Sequence, residues 1–275
     1  MNLTNESENV ETEFFESSFG KVAYRSEGKG SKLILLHAAG HDHQDFDAIT
    51  PALTEKYEVI RMDWPGHGKS KWTYHEKISA IFFPTLLKEF LEKIAPEGSI
   101  LLGNSIGGYA ALQLTLDQPD LVKGLILVDT GGMNELDFSS KTFIKLKSYP
   151  WFTSLIWNLF PKFYTKKEND HTIQILNRIK QAKFTPQTIE TNACLWKSFL
   201  DEKYNLRNLV SQIEKPTLIL WGRKDPVIYP KFGKDLRERI SNSEFKVLDT
   251  GHLPFAEDPE KFLLFLFNFL TKSNL

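Results

Sequence analysis

Three polar side chains in this sequence stand in an order that suits nucleophilic catalysis, namely Ser105, Asp225 and His252. A serine hydroxyl is a weak nucleophile at neutral pH. It needs a histidine within hydrogen-bond reach and a carboxylate that holds the imidazole in the productive tautomer. Each of the three residues follows a segment that reads as a strand. Together they predict a catalytic triad that performs acyl transfer.

The serine lies at the centre of a G-x-S-x-G motif made by Gly103, Ser105 and Gly107. The apolar run at 100–102 precedes the motif, and apolar residues at helical spacing follow it, at Tyr109, Leu112 and Leu116. A strand that turns directly into a helix must bend sharply, and glycines beside the bend have no Cβ that would clash. The motif therefore predicts a strained serine whose Oγ points out of the sheet towards a substrate.

The segment G-N-S-I-G-G and its strand–turn–helix context resemble the nucleophile elbow of the α/β-hydrolase superfamily. The segments W-G-x-x-D-P around Asp225 and G-H-x-P-x-x-E-x-P around His252 resemble the acid and base loops of that family. The resemblance extends from about residue 20 to the end of the chain. It implies the family's α/β fold, in which a mostly parallel eight-stranded sheet carries helices on both faces and a helical lid insertion.

Two backbone amides are candidate donors to an oxyanion. The N–H of Ile106 follows the nucleophile at the start of a helix, where unpaired donors and the helix dipole favour negative charge. The second donor is implied by the resemblance, because the family places it at the third residue of a His-Gly-x segment. By that match it is the N–H of Ala39, and Ala38 stands where the family has glycine.

Two other residues compete for places in the triad. Asp129 follows another apolar run and is the alternative acid, because some family members place theirs after that strand; the Asp-Pro turn favours Asp225. His67 lies in a D-x-P-G-x-G-x-S loop, which in the family is structural and lines the opening of the site. We therefore interpret His67 as a loop residue rather than the catalytic base.

The segment His41-Asp42-His43 raises the question of a metal site. Two histidines and an aspartate in a polar loop are more typical of solvated or capping side chains, and the sequence shows no third cluster of ligands. We therefore predict no metal, and the proposed chemistry requires no cofactor.

Strands and helices alternate along most of the chain, which predicts a parallel sheet covered on both faces. Apolar runs predict strands at 13–17, 21–27, 32–37, 57–62, 100–102, 124–128, 216–221 and 244–248. Helical spacing predicts helices near 44–56, 78–94, 231–240 and 258–270. Pro84 lies inside the second of these and is expected to kink or break it.

Residues 133–209 differ from the rest in being helical in pattern and rich in aromatic residues. Pro150, Pro161 and Pro186 divide this segment into short helices. We predict a helical lid at 133–209 inserted into a core domain formed by 1–132 and 210–275, with a disordered tail at 1–12. Most of the aromatic side chains pack the lid, and a few line an apolar pocket for the substrate.

Composition excludes several classes of function. Lys and Arg number 34 and Asp and Glu number 35, so the net charge of −1 favours neither nucleic acid nor an anionic membrane as a partner. The longest apolar block, near 262–270, is too short to span a bilayer. Residues 1–16 are polar and acidic, without the apolar region of a signal peptide. The single cysteine, Cys194, excludes an internal disulfide and predicts a cytoplasmic protein.

The predicted function is a carboxylesterase that acts on small or medium apolar esters. A serine nucleophile argues against the family's dehalogenases and epoxide hydrolases, which use aspartate. A carbon–carbon bond hydrolase matches less well, because Ala38, Ala39 and Leu253 replace the glycine-rich and aromatic residues of that group. A lactonase, a cofactor-free perhydrolase and a ligand-binding receptor remain as alternatives. The oligomeric state is not specified by the sequence.

Overall fold

The computed structural model describes residues 11–133, 135–185 and 187–275 of the chain. Within these ranges the strands are β1 (Glu13–Ser17), β2 (Gly20–Glu27), β3 (Ser31–Leu36), β4 (Tyr57–Met62), β5 (Ser99–Asn104), β6 (Val122–Val128), β7 (Thr217–Gly222) and β8 (Ser243–Leu248). Residues 1–10 of the predicted tail lie outside the described residues, and so does Pro186 of the predicted lid.

The strands form one sheet in the order β1-β2-β4-β3-β5-β6-β7-β8 within the described ranges. The β1–β2 and β2–β4 pairs are antiparallel, and the five remaining pairs are parallel. The prediction of a mostly parallel eight-stranded sheet is therefore confirmed. In such a sheet the loops at the carboxyl ends of the parallel strands lie along one edge, which is where ligands bind in open α/β folds.

The helices connect the strands and cover both faces of the sheet. They are α1 (Thr50–Thr54), α2 (Phe83–Ile94), α3 (Ile106–Asp117), α4 (Phe138–Lys147), α5 (Pro150–Ile156), α6 (Phe160–Tyr164), α7 (Asp170–Ala182), α8 (Thr188–Ser198), α9 (Pro230–Arg239), α10 (Pro254–Glu257) and α11 (Pro259–Lys272). None of the described helices is both long enough and apolar enough to cross a membrane.

Two predicted helices differ from those observed, and proline explains both differences. The helix expected at 44–56 is a 3₁₀ turn, His43–Phe46, followed by the short helix α1, in which Pro51 is the second residue. Pro84 is likewise the second residue of α2 and follows a separate 3₁₀ turn. Proline lacks the N–H that an interior helical position must donate, but the first turn of a helix has no acceptor for that N–H. Each proline therefore begins a helix instead of kinking one.

Alternate residues of the central strand β3 enter two different cores. Ile34 and Leu36 pack in the cluster that contains the apolar faces of α2 and α3. Leu33 and Leu35 pack on the opposite face, in the cluster that contains α11. All four side chains are fully buried, and burial of each contributes about 1.5–3 kcal/mol. The apolar run seen in the sequence thus belongs to a strand covered on both faces.

Helices α4 to α8 form a compact group between β6 and β7, which we call the insert (residues 133–209). Within the insert, α8 packs against α4 and α5. Helix α7 packs against α10 and against the 3₁₀ turn that follows β3. Because α10 and that turn both lie beyond the carboxyl ends of strands, the insert lies over the same edge of the sheet. Cys194 on α8 is half-buried and packs against the core.

Gly103 and Gly107 allow α3 to begin directly against the sheet. A Cβ on Gly107 would lie 2.3 Å from the carbonyl oxygen of Leu36 in β3. A Cβ on Gly103 would lie 2.5 Å from the backbone of Gly107. Both contacts are with backbone atoms, so no rotation of a side chain can relieve them. The two glycines of the motif are thus required by packing, as the sequence predicts.

The substitution Gly107→Ala should lower the free energy of unfolding by about 2–3 kcal/mol, because α3 must move away from β3. Gly124→Ala is the matched control, since its new Cβ would meet a terminal methyl group of the flexible Leu275 side chain. The control should lose less than about 1 kcal/mol. Urea denaturation of the two variants measures the difference, and equal losses would contradict the packing argument.

Candidate active site

Ser105 occupies a strained turn between β5 and α3. Its φ of 55° and ψ of −114° place a residue with a side chain in a region that normally requires glycine, at a cost of about 1–3 kcal/mol. Three backbone hydrogen bonds hold the turn: Ser105 N–H donates to the Val128 carbonyl, at 3.1 Å, and the Ser105 carbonyl accepts from the N–H groups of Tyr109 and Gly131, at 3.1 and 2.9 Å. The surrounding structure therefore fixes the conformation that the motif predicts.

Asp225 and His252 follow β7 and β8, at the same edge of the sheet. Their side chains meet, with 2.7 Å between His252 Nδ1 and Asp225 Oδ2, and both residues are buried. The other carboxylate oxygen accepts from the N–H groups of Val227 and Ile228, at 2.8 and 3.3 Å. These bonds orient the carboxylate, and the carboxylate orients the imidazole so that its Nε2 is free to serve as a base.

Ser105 and His252 line one cavity of about 450 Å³ between the sheet edge and the insert. Ala39 and Gly40 also line it. Among the described residues no hydrogen bond joins Ser105 to His252, and such bonds often tighten only when substrate is present. Aromatic side chains of the insert form much of the wall: Phe143, Trp157, Phe160, Phe163, Tyr164, Trp196, Phe199 and Tyr204.

The two predicted oxyanion donors are unpaired where the chain is described. Ile106 is the first residue of α3, so its N–H has no partner within the helix. The N–H of Ala39, in the turn after β3, also lacks an acceptor among the described residues. Ala38 does not adopt a positive φ, so glycine is not required at that position. Gly40 is the residue of this turn with a positive φ, 84°.

Two buried neutral histidines hold the turn that contains Ala39. The Gly40 N–H donates to Nε2 of His67, at 3.0 Å, so His67 has a structural contact with the turn, as predicted. His37 Nδ1 lies 2.7 Å from the carbonyl oxygen of Ala38, and its Nε2 accepts from the N–H of Trp64, at 3.0 Å. Burial lowers the pKa of His37 to about 4 and the pKa of His67 to about 3. Both rings therefore stay uncharged at neutral pH.

The segment at 41–43 was expected to carry solvated or capping side chains. Asp42 does cap the 3₁₀ turn, where its carboxylate accepts from the N–H of Gln44, at 3.0 Å. His41 and His43 are not solvated, because the loop lies under the insert and both residues are buried. His41 Nδ1 contacts the carboxylate of Asp45, and its Nε2 lies 2.7 Å from the Tyr164 hydroxyl. His43 Nδ1 lies 2.9 Å from Asp63 Oδ1. A carboxylate thus contacts Nδ1 of each ring, whereas Nε2 of His43 has no partner among the described residues.

Asp129, the alternative acid, lies beside Asp225 but makes different contacts. Its Oδ1 accepts from the N–H of Gly222, at 2.9 Å. Burial, together with the negative charge of Asp225, raises the pKa of Asp129 well above its usual value. Atoms of Asp129, Asp225 and His252 lie within 4.8 Å of one another, a spacing that could also hold a metal. Two of these three residues, Asp225 and His252, are already hydrogen-bonded to each other, so a metal would compete with that bond.

Sequence reasoning missed two residues that fix the loop of His252. Asn104 donates from Nδ2 to the carbonyl oxygens of Val128 and His252, at 3.0 and 3.2 Å. The buried carboxylate of Glu257 accepts from the N–H groups on either side of His252, at 2.9 and 3.2 Å. Both residues lie inside the quoted motifs, but their types alone do not indicate which backbone atoms they reach.

The same loop is joined to the insert. Glu257 Oε2 also accepts from the N–H groups of Lys166 and Lys167, both at 2.9 Å. The N–H of His252 donates to the carbonyl oxygen of Tyr164 at the end of α6, at 2.9 Å. The connection between α6 and α7 is therefore part of the support of the candidate base.

Comparison with known families identifies the family of this chain. Residues 33–263 match the model of a family described as the alpha/beta hydrolase family. The chain belongs to the alpha/beta hydrolase family. Among its relatives are a pyrrolizixenacetamide deacetylase from Xenorhabdus hominickii, 26% identical over 265 residues, and a pimeloyl-[acyl-carrier protein] methyl ester esterase from Aliivibrio salmonicida, 26% identical over 262 residues. The alignments cover 93% and 90% of this chain and 96% and 95% of the relatives.

Solved structures show the same alpha/beta hydrolase fold. A thermophilic esterase from Thermogutta terrifontis superposes with a TM-score of 0.81 at 21% identity, covering 96% of this chain and 100% of the other. An enol-lactonase from Burkholderia xenovorans gives a TM-score of 0.80 at 18% identity, covering 94% and 100%. At these identities the likeness concerns the fold.

Replacement of Asp225 and of Asp129 by asparagine should have different effects on the kcat of this alpha/beta hydrolase. Asp225→Asn should lower kcat for a 4-nitrophenyl ester by about 10⁴-fold, because the amide no longer selects the productive imidazole tautomer. Asp129→Asn keeps an acceptor for Gly222 and a donor towards Asp225, so its kcat should stay within about threefold of wild type. A large loss in the Asp129 variant with little loss in the Asp225 variant would reverse the assignment.

The neutral His67 should make the stability of this alpha/beta hydrolase depend on pH. Its pKa in the folded chain lies below the ordinary value of 6.5, so the unfolded chain takes up a proton first as the pH falls. The stabilisation is complete above pH 6.5 and is lost towards lower pH, at up to about 1.4 kcal/mol per pH unit.

The variant His67→Gln removes this titration. The contributions of all other titratable groups to the pH dependence of the free energy of unfolding are the same in wild type and variant, so they cancel in the comparison. The free energy of unfolding of the variant should therefore fall less steeply than that of wild type between pH 6.5 and 4. Urea denaturation at half-unit pH intervals measures both slopes. Parallel slopes would show that His67 is protonated in the folded chain.

Proposed function

We propose that this alpha/beta hydrolase is a serine hydrolase that cleaves carboxylic esters of small or medium apolar substrates through an acyl-enzyme on Ser105. The observation that carries the proposal is the placement of Ser105 and His252 on one cavity, with Asp225 hydrogen-bonded to His252. Relatives named as a deacetylase and as a methyl ester esterase support a hydrolase of acyl groups.

In the proposed reaction His252 takes the proton of the Ser105 hydroxyl as its oxygen attacks the ester carbonyl. The carbonyl oxygen becomes an oxyanion and accepts hydrogen bonds from the amides of Ile106 and Ala39, which is usually the largest electrostatic contribution to such catalysis. His252 then gives its proton to the leaving alcohol. Water, activated by the same histidine, attacks the acyl-enzyme and releases the acid.

The division of the chain belongs to the same proposal. Residues 133–209 act as a lid, and 1–132 with 210–275 form the core domain that carries the triad. The aromatic wall contributed by the insert favours an apolar acyl or alcohol group over a strongly hydrated one. The single cysteine favours a cytoplasmic location, and the near-neutral charge disfavours nucleic acid as a partner.

The test is the hydrolysis of 4-nitrophenyl esters from acetate to dodecanoate by wild type and by Ser105→Ala. Wild type should show multiple turnover with an optimum at short or medium chain length, because the cavity is small. The Ser105 variant should lose at least ~10³-fold in kcat. Ser148→Ala is the matched control, since this serine lies in the insert away from the cavity lining, and it should retain activity.

Other outcomes would change the assignment. Equal rates in wild type and the Ser105 variant would exclude Ser105 as the nucleophile. Absence of turnover by a folded wild type would reject the esterase proposal and favour a carbon–carbon bond hydrolase or a receptor.

A further inference from the structure

Lys147, the last residue of α4, is a buried lysine on the wall of the cavity. Its side chain is 3% exposed and lines the same space as Ser105 and His252. Its Nζ lies 4.8 Å from the ring centroid of Phe160 and 4.7 Å from that of Trp196. The one hydrogen bond of this ammonium within the described chain goes to Oδ1 of Asn192, at 3.0 Å.

Among the described residues Lys147 has no carboxylate partner, unlike two arginines that are buried or partly buried. Arg61 pairs with Glu27 and Asp47, and Arg178 pairs with Asp42 and Asp45. None of the ion pairs found among residues 11–133, 135–185 and 187–275 involves Lys147. Burial alone lowers its pKa to about 7, with no contribution from a neighbouring charge. An ammonium has three donors, so two N–H groups of Lys147 remain for a ligand.

The position of Asn192 connects Lys147 to the proposed reaction centre. A Cβ on Gly40 would lie 2.8 Å from Asn192 Nδ2, so this amide rests directly on the turn that carries the Ala39 N–H. The Lys147 ammonium donates to the oxygen of the same amide. A substrate held at the oxyanion amides therefore occupies the cavity into which Lys147 faces.

We propose that Lys147 recognises a carboxylate on the substrate, so that the preferred esters of this enzyme carry an anionic group besides the reacting ester. The inference rests on the proposed function, since it specifies the substrate class of that same cavity. A carboxylate would supply the missing counter-charge and accept the two free N–H groups as charge-assisted hydrogen bonds. The aromatic walls exclude water, which strengthens such a pair.

The test compares esters with and without a carboxylate in wild type, Lys147→Met and Lys147→Arg. Acyl-side probes are the mono-4-nitrophenyl esters of adipic, suberic and sebacic acids beside 4-nitrophenyl alkanoates of matched length. The leaving-group probe is the butyrate ester of 5-hydroxy-2-nitrobenzoate beside 4-nitrophenyl butyrate. Each ester is compared with itself across the variants, so its intrinsic reactivity cancels.

Lys147→Met should lower kcat/KM for at least one carboxylate ester by ~10-fold or more beyond any loss it causes for the neutral ester of matched length. Lys147→Arg should retain most of the preference, because the guanidinium keeps the charge. Lys145→Met is the matched control, since Lys145 lies on the same helix and is exposed. It should leave the preference unchanged.

The preference should also depend on pH. As pH rises through the lysine pKa near 7, the ammonium loses its charge, so the ratio of kcat/KM for carboxylate over neutral esters should fall in wild type and stay flat in both Lys147 variants. None of the other titratable groups on α4, α6 and α8 shifts the pKa of Lys147, these being Lys141, Lys145, Lys162, Tyr164, Glu190, Cys194 and Lys197.

Calorimetric binding of suberate gives a result that does not depend on turnover. Wild type should bind suberate at least ~10-fold more tightly than Lys147→Met does. The carboxylate proposal would be overturned if the ratio of kcat/KM for carboxylate over neutral esters were the same in wild type and Lys147→Met and both bound suberate equally. The esterase proposal would still stand, because neutral esters would be hydrolysed. Loss of the preference in Lys231→Met instead would also overturn the carboxylate proposal, since Lys231 is the exposed lysine on the same cavity. No turnover of any ester would reject the esterase proposal alone.

Discussion

The close approach of α3 to β3 and β5 is the constraint on which the candidate site depends. Glycine at 103 and 107 lets the helix begin against the backbone of β3. The chain must then reverse within one residue, which forces Ser105 to a positive φ. The same reversal leaves the Ile106 N–H as the unpaired first donor of a helix. The strain of the nucleophile and the availability of an oxyanion donor thus have one physical origin.

Buried polar groups then hold the other members of the site in place. Asn104 and Glu257 tie the loop of His252 to the elbow and to the insert through bonds to backbone atoms. One carboxylate oxygen of Asp225 accepts hydrogen bonds from backbone N–H groups, and the other contacts the His252 imidazole. Burial and the neighbouring charge of Asp225 both raise the pKa of Asp129, because two adjacent buried carboxylates would repel each other.

The sequence predicted those features that depend on local constraints. The elbow and the loops of Asp225 and His252 are short motifs that follow strands. The sequence alone therefore predicts the sheet and the candidate triad. The extent of α1 was misjudged because helical spacing ignores the missing N–H of Pro51. The burial of His41 and His43 depends on how the insert covers the sheet. So does the position of Lys147, which has no carboxylate partner within the described ranges. In the sequence Lys147 follows Lys141 and Lys145 and resembles an exposed helical lysine.

The contacts of Glu257 and Tyr164 have a consequence for exchanging inserts between relatives. The N–H groups of Lys166 and Lys167 donate to the Glu257 carboxylate, and the Tyr164 carbonyl accepts from the N–H of His252. The stretch at 164–167 is therefore bonded to the core, although it lies within the insert. A chimaera with crossovers at 133 and 209 would replace the residues that make these contacts along with the native helices. Crossovers that retain 164–167 from the recipient would preserve the loop of His252. The insert should therefore be exchanged as two separate segments, one before and one after 164–167, rather than as a single unit.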